Sequence, residues 1–184
     1  MALPRLTLDK TALLVVDVQE KLLPLIHDGA RVERQCIKLI RGCAALGVPI
    51  LATEQYPKGL GPTTLAVRSA LPPTTRPEQK MKFSACVEGV RQALEHHGSR
   101  AVLVCGIESH VCVTQTVLDL LAAGYITAVA LDAIGSRAPA DHDAAVLRMT
   151  AAGAVPVSVE MALFELAHEA GTERFKALLP LVKE

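Results

Sequence analysis

Short apolar runs alternate with stretches of helical spacing along the chain. "TALLVVDVQ" (residues 11–19) begins as an unbroken apolar run and ends on an acid, which predicts a strand buried on both faces with Asp17 at its carboxyl end. A helix is expected over 30–46, where Cys36, Ile37, Ile40, Cys43 and Ala44 share one face and Gly47 supplies a stop. "VPILATEQ" (48–55) predicts the second strand. Two Pro/Gly-rich loops follow, "YPKGLGPTT" and "ALPPTTRPEQ", with a weak helical stretch at 63–71 between them. "EQKMKF" (78–83) predicts a short third strand, and "SACVEGVRQALEHHG" (84–98) a helix capped by Ser84.

The second half repeats the alternation more plainly. "AVLVCGI" (101–107) is expected as the fourth strand. "SHVCVTQTVLDLLAAG" (109–124) is expected as a helix with Val113, Val117, Leu120 and Leu121 inward. "YITAVALDA" is the fifth strand, "APADHDAAVLRMTAAG" a helix, "AVPVSV" the sixth strand, and two short helices close the chain. Residues 1–184 thus predict one α/β domain: a doubly wound, Rossmann-like parallel sheet of six strands in order 3-2-1-4-5-6, with helices on both faces. In that order the binding crevice opens between the carboxyl ends of the first and fourth strands, flanked by Asp17 and by the turn leading to Cys112.

Composition narrows the function. Hydrophobic residues make up 51% of the 184 but aromatics only 3%, which fits a layered aliphatic core and a small aliphatic pocket. Nineteen basic and nineteen acidic side chains give zero net charge, so no basic excess points to nucleic acid. No apolar run approaches a membrane span. Five cysteines without a C-x-x-C pair suggest reduced thiols in the cytosol. "GLGPTT" follows the second strand and lacks a third glycine, so no dinucleotide cofactor is expected. His96 and His97 are adjacent on a helix, and "DHD" at 141–143 sits at a helix start; neither has the spacing of a metal site.

Of the five cysteines, Cys36, Cys43, Cys86 and Cys105 read most simply as core. Cys112 falls about one turn into its helix at the crevice edge, where a helix N-terminus would lower a thiol pKa and free amides would bind an oxyanion. Position alone leaves catalysis and packing both open. Asp17 is either functional or the cap of a following helix, and Lys82, between Met81 and Phe83, is either functional or snorkelling to solvent. Convergence of the three on one crevice is the stronger signal.

Taken together, "LLVVDVQ", "KFSA" and "CGIESHVCVTQT" resemble the isochorismatase-like cysteine hydrolase superfamily, from about Thr11 to about Val159. "TEQYPKGLGPT" resembles its metal-independent branch, which includes the isochorismatase domain-containing proteins. The resemblance implies a catalytic triad of Asp17, Lys82 and Cys112, a cis peptide between Ile107 and Glu108, and an oxyanion hole from the backbone N–H groups of Glu108 and Cys112. Metal-dependent nicotinamidases of this superfamily carry an aspartate and histidines after the second strand. Here Thr53, Glu54, Gln55 and Tyr56 stand there, which implies no metal. A cysteine at 112 points away from vinyl-ether cleavage and toward acyl transfer on a small amide. Gln19, Gln55, Tyr56 and Ile107 are the expected pocket residues. Were Ser109 the N-cap, its hydroxyl would compete for the Cys112 amide. The resemblance also implies a homo-oligomer, consistent with the apolar "MALFELA" and "FKALLPLV". Two rival readings stand beside hydrolysis: a small-molecule-binding or scaffold protein of the same fold, and a redox-sensing thiol at Cys112.

Overall fold

The computed structural model describes residues 4–183. Six parallel strands form one sheet in the order β3-β2-β1-β4-β5-β6. They are β1 (Thr11–Val16), β2 (Ile50–Gln55), β3 (Glu78–Lys80), β4 (Ala101–Ile107), β5 (Ile126–Gly135) and β6 (Val155–Val157). The main helices are α1 (Gly29–Leu46), α2 (Pro57–Leu60), α3 (Leu65–Ala70), α4 (Glu88–His96), α5 (Thr114–Ala122), α6 (Pro139–Ala151), α7 (Val159–Ala167) and α8 (Glu173–Val182).

The period-2 alternation of strand side chains sorts the core into two layers. Leu13, Val15, Leu103, Cys105 and Ile107 pack with Leu39 and Ile40 of α1, Leu163 of α7 and Leu178 of α8. Leu14, Val16, Val102 and Val104 pack with Leu94 of α4, Val117 and Leu120 of α5, and Met149 of α6. Every residue of β1 and β4 is buried, so neither strand needs a polar face.

Three departures from the sequence reading bear on the site. β3 ends at Lys80, short of Phe83, and residues 81–85 form bends. α4 begins at Glu88; the Ser84 hydroxyl accepts the Cys86 N–H at 3.1 Å in a local turn and caps no helix. The element after β4 opens as a π-turn over Ser109–Val113 before becoming α5, a distortion found disproportionately at functional sites. Its extra residue leaves backbone groups to satisfy, and the Thr114 hydroxyl donates to the Ser109 carbonyl at 2.6 Å. β4 also reaches β1 very closely at Gly106, which has φ 118°, and a Cβ there would run into the Val16 backbone.

Candidate active site

Asp17 follows β1 with φ 52°, a left-handed conformation uncommon for a non-glycine residue. Both its carboxylate oxygens are engaged. Thr53 of β2 donates its hydroxyl to Oδ1 at 2.7 Å, and Lys80 of β3 donates Nζ to Oδ2 at 2.6 Å. The Asp17 and Lys80 side chains are completely buried. The ammonium has three further acceptors: Gln55 Oε1 at 2.9 Å, the Phe83 carbonyl at 2.8 Å and the Lys82 carbonyl at 3.2 Å. A buried ammonium is tolerable only when so paired and hydrogen-bonded.

The lysine of the site is therefore Lys80, and the expectation of Lys82 is corrected. Reading the strand to Phe83 made Lys82 the strand-end lysine. Because β3 stops at Lys80, in register with Gln55, the ammonium that reaches Asp17 is two residues earlier. The chain then bends so that the carbonyls of Lys82 and Phe83 turn inward, and the Lys82 side chain is left exposed.

Cys112 lies in the π-turn and is buried. Its carbonyl accepts the Thr116 hydroxyl at 2.6 Å, and Thr116 Oγ1 accepts the Ala85 N–H at 2.8 Å. The segment wrapped around Lys80 is thus tied to the turn that carries the sulfur. Burial, then the negative charge of Asp17, push the Cys112 thiol up to about 12, while the Lys80 ammonium pulls it down. This reverses the expected depression: the sulfur is desolvated and its nearest charges include a carboxylate, which outweighs any helix-terminus effect. The Ile107–Glu108 peptide is cis. The Glu108 carbonyl accepts from the N–H groups of Val111 and Val113, both at 3.1 Å. Ser109 is not the N-cap; Glu108 is, with no side-chain cap, and the Ser109 hydroxyl meets His142 Nδ1 at 3.1 Å instead. Glu108 Oε1 accepts from Arg137 Nε at 2.9 Å and from the Arg137 N–H at 3.3 Å.

The expected pocket residues fall in different places. Gln19 is buried and fully used as a clamp: Nε2 donates to the carbonyls of Gln55 (3.0 Å) and Gly61 (2.6 Å), and Oε1 accepts the Gln55 N–H (2.8 Å). Gln55 holds Lys80 and donates Nε2 to the Met81 carbonyl at 3.0 Å, so it organises the site from behind. Ile107 points into the core layer facing α1, away from the layer that holds Cys112, and is no pocket wall. Tyr56 is exposed and, with Pro57, Lys58 and Met81, borders a cavity of about 270 Å³ beside Lys80. A larger hollow of about 910 Å³, bordered by Val48, Leu71, His96 and His97, contains none of Asp17, Lys80 or Cys112.

Lys80, Thr53 and Thr116 were not singled out from sequence. The available signal was the pair of lysines two apart, either of which fits the end of a short strand whose limit is uncertain. Glu54, standing where a metal ligand was weighed, accepts both the N–H and the hydroxyl of Thr63, at 2.7 and 2.8 Å. Among the described residues no group of three or more His, Cys, Asp or Glu side chains could hold a metal ion, and no helix is long and apolar enough to cross a membrane.

The isochorismatase domain family model matches residues 11–161. The chain is similar to the secreted isochorismatase effector Isc1 of Phytophthora sojae, with 38% identity over 99% of this chain and 89% of that protein. It is 34% identical to isochorismatase domain-containing protein 2 of Danio rerio, over 97% and 89%. Among solved structures it resembles the MAR1 ribonuclease of Caenorhabditis elegans, with TM-score 0.94, 34% identity and coverage of 98% and 93%. It also resembles YcaC from Pseudomonas aeruginosa with hexane-2,5-diol and covalent acrylamide, with TM-score 0.89, 27% identity and coverage of 98% and 93%.

Proposed function

This chain belongs to the isochorismatase domain family, and on that premise we propose that it is a cysteine hydrolase that cleaves a small amide through an acyl-enzyme on Cys112. The observation that carries the reading is the buried Lys80–Asp17 pair whose charges bear on the Cys112 thiol. A desolvated carboxylate, oriented by Thr53 and Lys80 and bearing on a thiol, is placed to take that thiol's proton.

A thiol held up to about 12 rests protonated near neutrality. Its proton passes to Asp17 as sulfur attacks the amide carbon, and the negative charge moves to the carbonyl oxygen. Lys80 holds Asp17 in place and offsets negative charge during the transfer. The backbone N–H groups of Glu108 and Cys112 receive the oxyanion, a stabilisation worth roughly 2.7–4 kcal/mol per donor in such sites. The tetrahedral intermediate collapses, the C–N bond breaks, and the amine leaves with the proton from Asp17. Water then attacks the thioester, giving its proton to Asp17; the carboxylic acid departs and the thiol is regenerated. Covalent acrylamide on the Pseudomonas relative supports a nucleophile in this fold.

The redox-sensor reading fits less well. Cys105 packs in the layer facing α1 and Cys112 in the layer facing α5, and a raised thiol pKa leaves little thiolate to oxidise. Homo-oligomerisation belongs to the same proposal, supported by exposed Met161 and Phe164 on α7; light scattering on the purified protein tests it.

The test is hydrolysis of a panel of small primary amides, with an RNA oligonucleotide as a separate arm, comparing the wild type with Cys112→Ala. The reading expects amide turnover that Cys112→Ala abolishes. Unchanged turnover in Cys112→Ala refutes it, and a binding protein would bind the amides without releasing ammonia.

A further inference from the structure

The turn that carries Cys112 is preceded by a second carboxylate, on Glu108, that the mechanism above does not use. Glu108 ends the β4 connection and caps the turn that carries Cys112 four residues later, one turn away. Its Oε1 is taken twice by Arg137, which follows β5, the neighbour of β4 on the side away from β1. The other oxygen, Oε2, has no partner among the described hydrogen bonds and is not sealed from solvent. Only a tenth of the Glu108 side chain is exposed, so this oxygen has a restricted outlook. Its charge is also among those that bear on the Cys112 thiol. By strand order, the sulfur has one carboxylate–cation pair on its β1 side, Asp17–Lys80, and another on its β5 side, Glu108–Arg137.

The two pairs differ in what they can offer. Asp17 has both oxygens occupied by internal donors, whereas Glu108 has one locked and one open. A locked, largely desolvated carboxylate with one open oxygen is a pure acceptor aimed by its partner, suited to an N–H donor and unfavourable to an ester or ether oxygen. We propose that the Glu108 carboxylate, oriented by Arg137, is a substrate-binding group that accepts an N–H of the amide, and that it favours amides carrying an N–H over the corresponding esters. This inference rests on the hydrolase reading with Cys112 as nucleophile.

The test needs no knowledge of the natural substrate. Acrylamide and methyl acrylate each alkylate a thiol by addition to the terminal alkene carbon, but only acrylamide offers N–H groups. The rates of adduct formation at Cys112 are measured by intact-mass and peptide mapping, and each is normalised to the rate with N-acetylcysteine. The normalised acrylamide-to-acrylate ratio should exceed one in the wild type and fall roughly tenfold in Glu108→Gln, the scale of a hydrogen bond to a charged group. Arg137→Ala keeps the carboxylate but frees its orientation, so its ratio should fall between the two. A structural role alone slows both reagents together and leaves the ratio unchanged, which would overturn the proposal. Adducts that form only at other cysteines would instead overturn the nucleophile reading beneath it.

Discussion

Lys80 Nζ stands 2.6 Å from Asp17 Oδ2, with both side chains completely removed from solvent. The pair joins the outermost strand β3 to the central strand β1 across β2, and Gln55 and Thr53 of β2 hold one partner each. Breaking a buried pair from one side leaves an uncompensated charge, at a cost of about 3–5 kcal/mol. Lys80→Met should lose stability on that scale and lose amide turnover. Lys82→Met removes an exposed side chain and should leave stability within about 0.5 kcal/mol and turnover intact. Urea denaturation and steady-state assays on the two variants decide which lysine belongs to the site.

Alkylation of Cys112 should be slow at neutral pH and climb through the alkaline range, because burial and Asp17 hold its thiol up to about 12. Asp17→Asn removes a raising influence, so the pH profile of alkylation should move to lower pH while hydrolysis is lost. The check is iodoacetamide labelling at a series of pH values, with peptide mapping to separate Cys112 from half-buried Cys86. A wild-type profile centred near neutrality would contradict the electrostatics described.

Alkaline stability follows from the same chemistry. Burial pushes the Cys43 thiol up to about 12 from an ordinary value of 9.0. The folded state keeps this proton while the unfolded chain releases it, so the stabilisation is whole below about pH 9 and is lost as pH rises toward 12. Each such thiol contributes a slope of about 1.4 kcal/mol per pH unit in that window. Cys43→Ala should be less stable at pH 8 because it leaves a cavity, yet decline less steeply above pH 9. Denaturant titrations between pH 8 and 11 measure both effects.

Gln19 should behave as a structural clamp. Its amide makes three buried or half-buried hydrogen bonds that tie the end of β1 to Gln55 and to the Gly61 loop. Gln19→Leu leaves those backbone groups unpaired, at about 1–3 kcal/mol each if they stay dry. The melting temperature should drop markedly, while the KM of the folded enzyme for a responsive amide stays near its wild-type value. A large KM change without destabilisation would return Gln19 to the pocket.

The sheet order was legible because the apolar runs of β1 and β4 admit no polar face and parallel crossovers have one hand. Asp17 stood out in the sequence because it ends an apolar strand run, and Cys112 because it falls just inside the helix after β4. Lys80 was not. Its identity depends on where a three-residue edge strand ends, and β3 has almost no hydrophobic alternation to mark that point. The π-turn at Ser109–Val113 was hidden because its residues also satisfy a helical pattern; the Val113 N–H bond to the Glu108 carbonyl, five residues back, reveals the extra residue. The sign of the Cys112 pKa shift was misread for a related reason. A helix start can be seen in sequence, but the desolvation and the charge of Asp17 that outweigh it belong to the tertiary structure.

The central claim is that Cys112 carries the acyl group during turnover. Rapid-quench intact-mass measurement with a hydrolysed amide tests it most directly, with the modified peptide mapped by fragmentation. The account predicts a transient mass gain equal to the acyl fragment, located on residue 112 and absent in Cys112→Ala. Amide hydrolysis that proceeds in Cys112→Ala, or an acyl group on any other residue, would contradict it.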